Sequence, residues 1–206
     1  MTGMLAACLM VAIVGSCLLV PAGAGRAEAA GDPERGRALF ESRQCARCHL
    51  PRGQEGLGPA ENEVRRPQGA FELSGRLWNH APGMVAMFKE KGIEWPQISP
   101  AEMADLMVYL GGDPARDPVA DPFKGQVALV RKGCLKCHSL RGEGGRVGPE
   151  LSERRNTYDS AVTWAATMWV HTPRMAAKTA ELGVLYPRFD GDELVNLVGF
   201  LRSAVR

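Results

Sequence analysis

Aromatic residues are scarce in this chain: phenylalanine, tyrosine and tryptophan together make 6% of 206 residues. Histidine is scarcer still, with four. Two units of about 80 residues with so few rings are marginal on apolar burial alone and lean on a staple, a metal or a large prosthetic group. No charge of one sign dominates, since 25 Lys and Arg face 23 Asp and Glu for a net charge of +2. A nucleic-acid footprint and an acidic tail are both excluded. The near-neutral total hides a small asymmetry. Residues 30–110 carry ten basic against eleven acidic residues, and residues 121–206 carry thirteen against nine. The excess on the second half is read as a solvated face, with a docking surface for an acidic partner as the other option. No run of alternating period long enough for a strand occurs, so the fold class is all-α.

Long hydrophobic runs are also missing, with one exception at the start. Residues 4–20, MLAACLMVAIVGSCLLV, carry no charge and are followed by PAGAGRAEAAGDPERG. Ala27-Glu28-Ala29 is an A-x-A cleavage signature, so residues 1–29 are predicted to be a signal peptide for export to the periplasm. No Lys or Arg precedes the run, which departs from the usual leader. Its length is at the lower edge of a membrane span, so an uncleaved anchor stays open. Val14-Gly15-Ser16-Cys17 is a weak lipidation box. A membrane enters the picture only if the leader is retained or lipidated.

Cysteine is used sparingly and in one way. Of six cysteines, Cys8 and Cys17 belong to the leader, and the other four lie in two pentapeptides, CARCH (45–49) and CLKCH (134–138). An exported chain could use a disulfide framework, and none is left for one.

The pentapeptides belong to a longer internal repeat. A shift of 89 positions carries Asp32-Pro33 onto Asp121-Pro122 and Gly36 onto Gly125. Each Asp-Pro reads as an N-cap and N1 proline opening a helix that ends just before the first cysteine. A shift of 91 carries WNHAPGM (78–84) onto WVHTPRM (169–175), a shared W-x-H-x-P-x-M, and Gly92 and Pro96 onto Gly183 and Pro187. The same shift pairs Ser99-x-x-Glu102 with Asp190-x-x-Glu193, capping-box signals before two amphipathic helices. Their apolar faces are Met103, Leu106, Met107 and Leu110 in one, and Leu194, Leu197, Val198 and Leu201 in the other. Between the units, GGDPARDPVADPFK (111–124) reads as a linker. The predicted organisation is a first domain over 30–110, a linker over 111–120 and a second domain over 121–206.

Two thiols and an imidazole in five residues admit three chemistries. A zinc site would need the two CxxC pairs to meet, although they sit one per repeat. A thioredoxin-type pair needs a βαβ setting and no histidine. Covalent attachment of haem c uses all three side chains, each cysteine forming a thioether and the histidine ligating iron, and it fits an exported chain. Two covalent haem c groups are therefore predicted, on Cys45 and Cys48 and on Cys134 and Cys137, with His49 and His138 as axial ligands.

With these motifs each repeat resembles a class I cytochrome c domain, and the pair resembles the tandem dihaem cytochromes c of the cytochrome c4 type. The resemblance covers residues 31–206. It implies that Gly36 and Phe40 pack against Leu106 and Tyr109, and Gly125 and Leu129 against Leu197 and Phe200. It also implies that the Pro59 and Pro149 carbonyls accept the Nδ1–H bonds of His49 and His138, fixing the imidazole planes. The second loop continues as the family's GPxL through Leu151, whereas the first reads GPAEN and is expected to differ after Pro59.

The other face of each iron decides between carrier and enzyme. Met84 aligns with Met175 in the shared signature, while Met87 meets Lys178. Met84 and Met175 are accordingly the expected distal ligands. His80 and His171, repeated in the same signature, are the alternative distal ligands or partners for a haem propionate. Trp78 and Trp169 are expected to wall the haem pockets or to bond a propionate, simple core packing being the other option.

Two closed irons imply outer-sphere electron transfer, without catalytic residues of the chain's own. The partners implied are redox proteins, a donor dehydrogenase and an acceptor oxidase or reductase, with the chain either a carrier or the haem subunit of a larger oxidoreductase. A dihaem peroxidase with one openable haem is the alternative, and a structural or sensory haem module a further one.

Overall fold

A computed structural model describes residues 31–205; the leader, its cleavage site, its lipidation box and its anchoring option lie outside the described residues. Among the described residues no helix is long and apolar enough to cross a membrane.

The first unit opens with α1 (Pro33–Ser42). Asp32 caps it through its side chain, which accepts from the backbone N–H groups of Glu34 and Arg35, and Pro33 supplies the preset φ of the first turn. A 3-10 turn over Cys45–Arg47 follows. After it come α2 (Glu61–Val64), the two-residue strand β1 (Gln68–Gly69), the long helix α3 (Ala70–Glu90) and the closing helix α4 (Pro100–Tyr109). Ser99 and Glu102 form the predicted capping box of α4 in full.

The second unit repeats the opening, long and closing helices of this order. Its elements are α5 (Pro122–Arg131), capped by Asp121, then a 3-10 turn over Cys134–Lys136, α6 (Ala161–Glu181) and α7 (Glu193–Ala204). The second capping box forms only by half. The Glu193 carboxylate accepts from the Asp190 backbone N–H, but α7 begins at Glu193 and no side chain caps it.

Within each unit the first and last helices cross closely, α1 on α4 and α5 on α7. The crossing is as the resemblance implied. Phe40 stacks at a tilt on Tyr109 with ring centres 5.6 Å apart, and Phe40, Leu106 and Tyr109 share one core. Leu129 and Leu197 share the other, with Phe200 packed against it.

Two features depart from the sequence reading. Short ladders exist: β1 pairs in parallel with β2 (Gly112–Asp113), and β3 (Ser139–Leu140) pairs antiparallel with β4 (Glu143–Gly144). The first of these ties the supposed linker to the first unit, and Asp117 adds to it by accepting from the Phe71 N–H at 2.8 Å. Residues 112–117 therefore act as a strap across the start of α3 rather than as a free spacer.

The second departure is larger. Helices α3 and α6 pack along each other, and each unit's core is completed by the other unit's long helix. The first core contains Ala161, Ala165, Ala166 and Trp169 of α6, and the second contains Trp78 of α3.

Candidate functional site

The 3-10 turn at each pentapeptide folds the chain so that cysteine and histidine side chains leave it together. The His49 N–H donates to the Cys45 carbonyl at 3.0 Å, and the His138 N–H donates to that of Cys134 at 2.9 Å. Both imidazoles are buried. In each, Nδ1 lies 2.9 Å from a proline carbonyl, Pro59 for His49 and Pro149 for His138. That bond sets the tautomer, with Nδ1 donating and Nε2 left as a free lone pair aimed away from the backbone.

The residue before each proline must be glycine for this to work. A Cβ at Gly58 would stand 2.8 Å from the His49 ring, and one at Gly148 would stand 2.5 Å from that of His138. Such separations are inside van der Waals contact, so the glycines are cradles for the imidazoles.

The loops beyond the prolines differ, as expected. In the first unit α2 carries Glu61, whose carboxylate accepts from the Tyr109 hydroxyl at 2.5 Å and pairs with Arg65 at 3.1 Å. In the second, Glu150 accepts from Arg141 N, Gly142 N, Ser152 N and the Ser152 hydroxyl at 2.7–3.0 Å. The Ser152 bonds foremost hold its carboxyl far below the usual carboxylate range. Glu150 thereby locks the β3–β4 hairpin to the Pro149 turn, a role that neighbouring backbone amides create and that no motif in the sequence announces.

A cavity of about 460 Å³ opens beside the first pentapeptide. Cys45, Cys48 and His49 form one wall; His80, Met84 and Met87 of α3 face it, with Phe40, Leu73, Leu77, Ile98 and Leu106 between. The volume is in the range of cofactor sites, about 300–1,000 Å³. Trp169, from the second unit, completes this wall.

Both tryptophans thus wall or fill the opposite unit, and neither indole is free for a propionate. Trp169 Nε1 donates to the Pro96 carbonyl at 2.8 Å and stacks on Trp95 at 4.3 Å. Trp78 Nε1 donates to the Pro187 carbonyl at 2.7 Å and stacks on Tyr186 at 4.9 Å. Among the described residues, the one buried indole donor without a partner is Trp164 Nε1. Its counterpart under the 91-residue shift, Leu73, lines the first cavity.

On the distal side, Met84 and Met175 pack against the two cores and are half-buried. The histidines come into ring contact with the proximal imidazoles. His80 lies with its ring centre 6.0 Å from that of His49, and His171 lies 6.0 Å from His138. Burial, and then the neighbouring proximal histidine, lowers the pKa of each.

The competing readings of the cysteines fail on this geometry. Among the described residues no three His, Cys, Asp or Glu side chains gather as a metal cluster, and the two CxxCH turns border different cores. Burial pushes the Cys45 and Cys134 thiols up to about 11, opposite to the lowered values of thiol redox pairs.

The family model of cytochrome c matches residues 33–112. This stretch is a cytochrome c domain. It runs from the first residue of α1 to the first residue of β2, takes in the first pentapeptide and every lining residue of the cavity except Trp169, and ends short of the second unit. A cytochrome c domain implies covalently bound haem c with its iron, and haem-based electron transfer. Proteins of this family are typically electron carriers rather than enzymes. No curated protein and no solved structure matches the chain.

The cavity fits that group on the chain's own terms. Two thiols and a tautomer-locked imidazole lie on one wall, the lining is apolar, and the glycine cradle leaves no slack behind the histidine.

Proposed function

We propose that the chain is a dihaem c-type cytochrome that passes electrons by outer-sphere transfer in the periplasm, as a free carrier or as the haem subunit of a larger oxidoreductase. Support for a second haem rests on one observation above the others. The unit beyond the matched domain repeats the His-to-proline-carbonyl bond at the same 2.9 Å, over its own CxxCH turn. In this reading Cys45 and Cys48 hold one group, Cys134 and Cys137 the other, and His49 and His138 ligate the irons. The tandem arrangement resembles cytochromes of the c4 type.

Haem, when bound, supplies a one-electron couple. The chain's residues supply the rest. Pro59 and Pro149 hold the imidazoles in one tautomer and one plane, which leaves Nε2 as the donor and raises its basicity. The apolar lining keeps water from the metal's faces and lowers the local dielectric. A protein side chain opposite each proximal histidine keeps substrates out, which favours transfer between whole proteins over chemistry at an open metal. The peroxidase alternative, which needs an open face, gains no support. The partners of this reading are a donor dehydrogenase and an acceptor oxidase or reductase, and the leader delivers the chain to them, tethered if it is retained.

Intact mass of the mature protein tests the reading. Two haem masses above the polypeptide are expected, falling to one in a Cys134→Ser/Cys137→Ser variant with about half the Soret absorbance per chain. A single haem in the parent protein, retained in the Cys134→Ser/Cys137→Ser variant, overturns it.

A further inference from the structure

On the dihaem reading above, we infer that the distal ligands are His80 and His171, and that both irons are held between two imidazoles. The decisive measure is the spacing of the rings. A metal–imidazole bond is about 2 Å and a ring nitrogen lies about 1 Å from the ring centre, so two imidazoles on opposite sides of one metal have centres about 6 Å apart. The chain presents that spacing twice, 6.0 Å for His49 and His80 and 6.0 Å for His138 and His171. The ring planes are inclined at 56° and 58°. Any such angle suits two imidazoles bound on opposite sides of one metal, because each ring need only contain its own bond axis.

Neither distal histidine has another task. Among the described residues, His80 and His171 make no hydrogen bond, and the proximal imidazole is the ring partner of each. His171 is half-buried, where a ring without a partner is costly, and a metal bond would meet that cost.

Geometry along the helix separates the histidines from the methionines. Met84 lies one turn beyond His80 on α3, which runs unbroken through Pro82. At about 1.5 Å per residue the two side chains start about 6 Å apart along the axis, so one of them at a time can stand over a fixed point. The helix is not free to slide. Trp78 Nε1 is fixed to the Pro187 carbonyl, and the Asn79 side chain both donates to the Phe189 carbonyl at 2.7 Å and accepts from its N–H at 2.8 Å. These anchors sit on the two residues before His80. Trp169, bonded to Pro96, does the same two residues before His171. The turn held in place is the histidine's turn, and Met84 and Met175 become apolar wall.

The experiment uses the full-length mature holoprotein, whose haem content is first read from intact mass. Ferric electronic and paramagnetic spectra should show two low-spin signals and no far-red methionine-to-iron band. His80→Ala and His171→Ala should each turn half of the low-spin signal high-spin, while Met84→Leu and Met175→Leu keep both signals low-spin. A far-red band in the parent protein that Met84→Leu or Met175→Leu abolishes overturns the ligand assignment and leaves the dihaem reading standing. A mass equal to the bare polypeptide overturns both. The parent spectrum decides even where a histidine variant fails to fold.

Discussion

At the scale of single residues, the two units differ most tellingly at one pair of positions. The backbone N–H of Asp32, which opens α1, donates to Asp105 Oδ1 at 2.7 Å, and that of Asp121 donates to Asn196 Oδ1 at the same distance. Carboxylate and amide thus serve one latch between first and last helix. Only the carboxylate recruits a cation, since Arg35 reaches Asp105 with Nε at 2.8 Å and a terminal nitrogen at 3.0 Å. The Arg35 hydrogen bonds foremost hold the Asp105 carboxyl below its ordinary value, outweighing the opposite push of burial. A depressed folded pKa stabilises the native state above the unfolded value of about 3.9, and that stabilisation is lost as pH falls through the folded pKa. The latch of the first unit should therefore weaken in acid, and its amide counterpart in the second unit should not. In Asp105→Asn the acceptor for Asp32 survives and the proton-linked charge does not. We expect the variant to be less stable than the parent at pH 7 and to lose less stability between pH 5 and pH 3. Denaturant midpoints across that range check this. Parallel declines for both proteins would show that the latch carries no proton linkage.

At the scale of elements, the close crossing of α5 and α7 depends on one missing side chain. A Cβ at Gly125 would stand 2.0 Å from the Asn196 carbonyl oxygen and 2.7 Å from the Phe200 Cβ. The first of these is backbone and cannot rotate away, so Gly125→Ala must part the helices. Overpacking of this kind costs about 1–3 kcal/mol. A matching drop in unfolding free energy is expected, with, on the proposed dihaem reading, loss of haem retention confined to the Cys134–Cys137 site, and denaturant titration followed in the Soret region measures both. The elements on either side of this crossing were legible from sequence because their signals are local. Asp-Pro opens α1 and α5, and Ser99-x-x-Glu102 opens α4, each within four residues. The half-formed box before α7 shows where local reading ends: Asp190 and Glu193 have the right spacing, yet the helix starts at Glu193 itself. The strap was misread for a related reason. A run rich in Gly, Asp and Pro has loop chemistry whether it floats or lies against a neighbour, and the pairing of Gly112 with Gln68 is set by tertiary contact alone.

At the scale of the whole molecule, the repeat makes a pair of units that complete each other. The proximal site was readable because its geometry is carried by contiguous residues and one loop ten or eleven positions on. The tryptophans were not, since a motif repeated in each unit gives no sign that its first residue crosses to the other. The structure sets Trp78 against Tyr186 and Pro187, and Trp169 against Trp95 and Pro96, positions that correspond under the 91-residue shift. The exchange is therefore reciprocal, and it has an unusual consequence for mutation. Trp169 belongs by sequence to the second unit, but it is buried in the first core and lines the first cavity. Removing a buried tryptophan costs about 3–5 kcal/mol. For Trp169→Ala that loss should appear first where the side chain is, not where its chain segment is. The haem signal of the Cys45–Cys48 site should broaden or shift, and amides of α4, beside the vacated volume, should exchange faster than those of α7. Hydrogen exchange by mass spectrometry resolves the two helices, and Trp78→Ala supplies the mirror experiment with the opposite pattern. Loss confined to α7 in Trp169→Ala would mean that the units stand independently in solution, and that each fills its core from its own sequence.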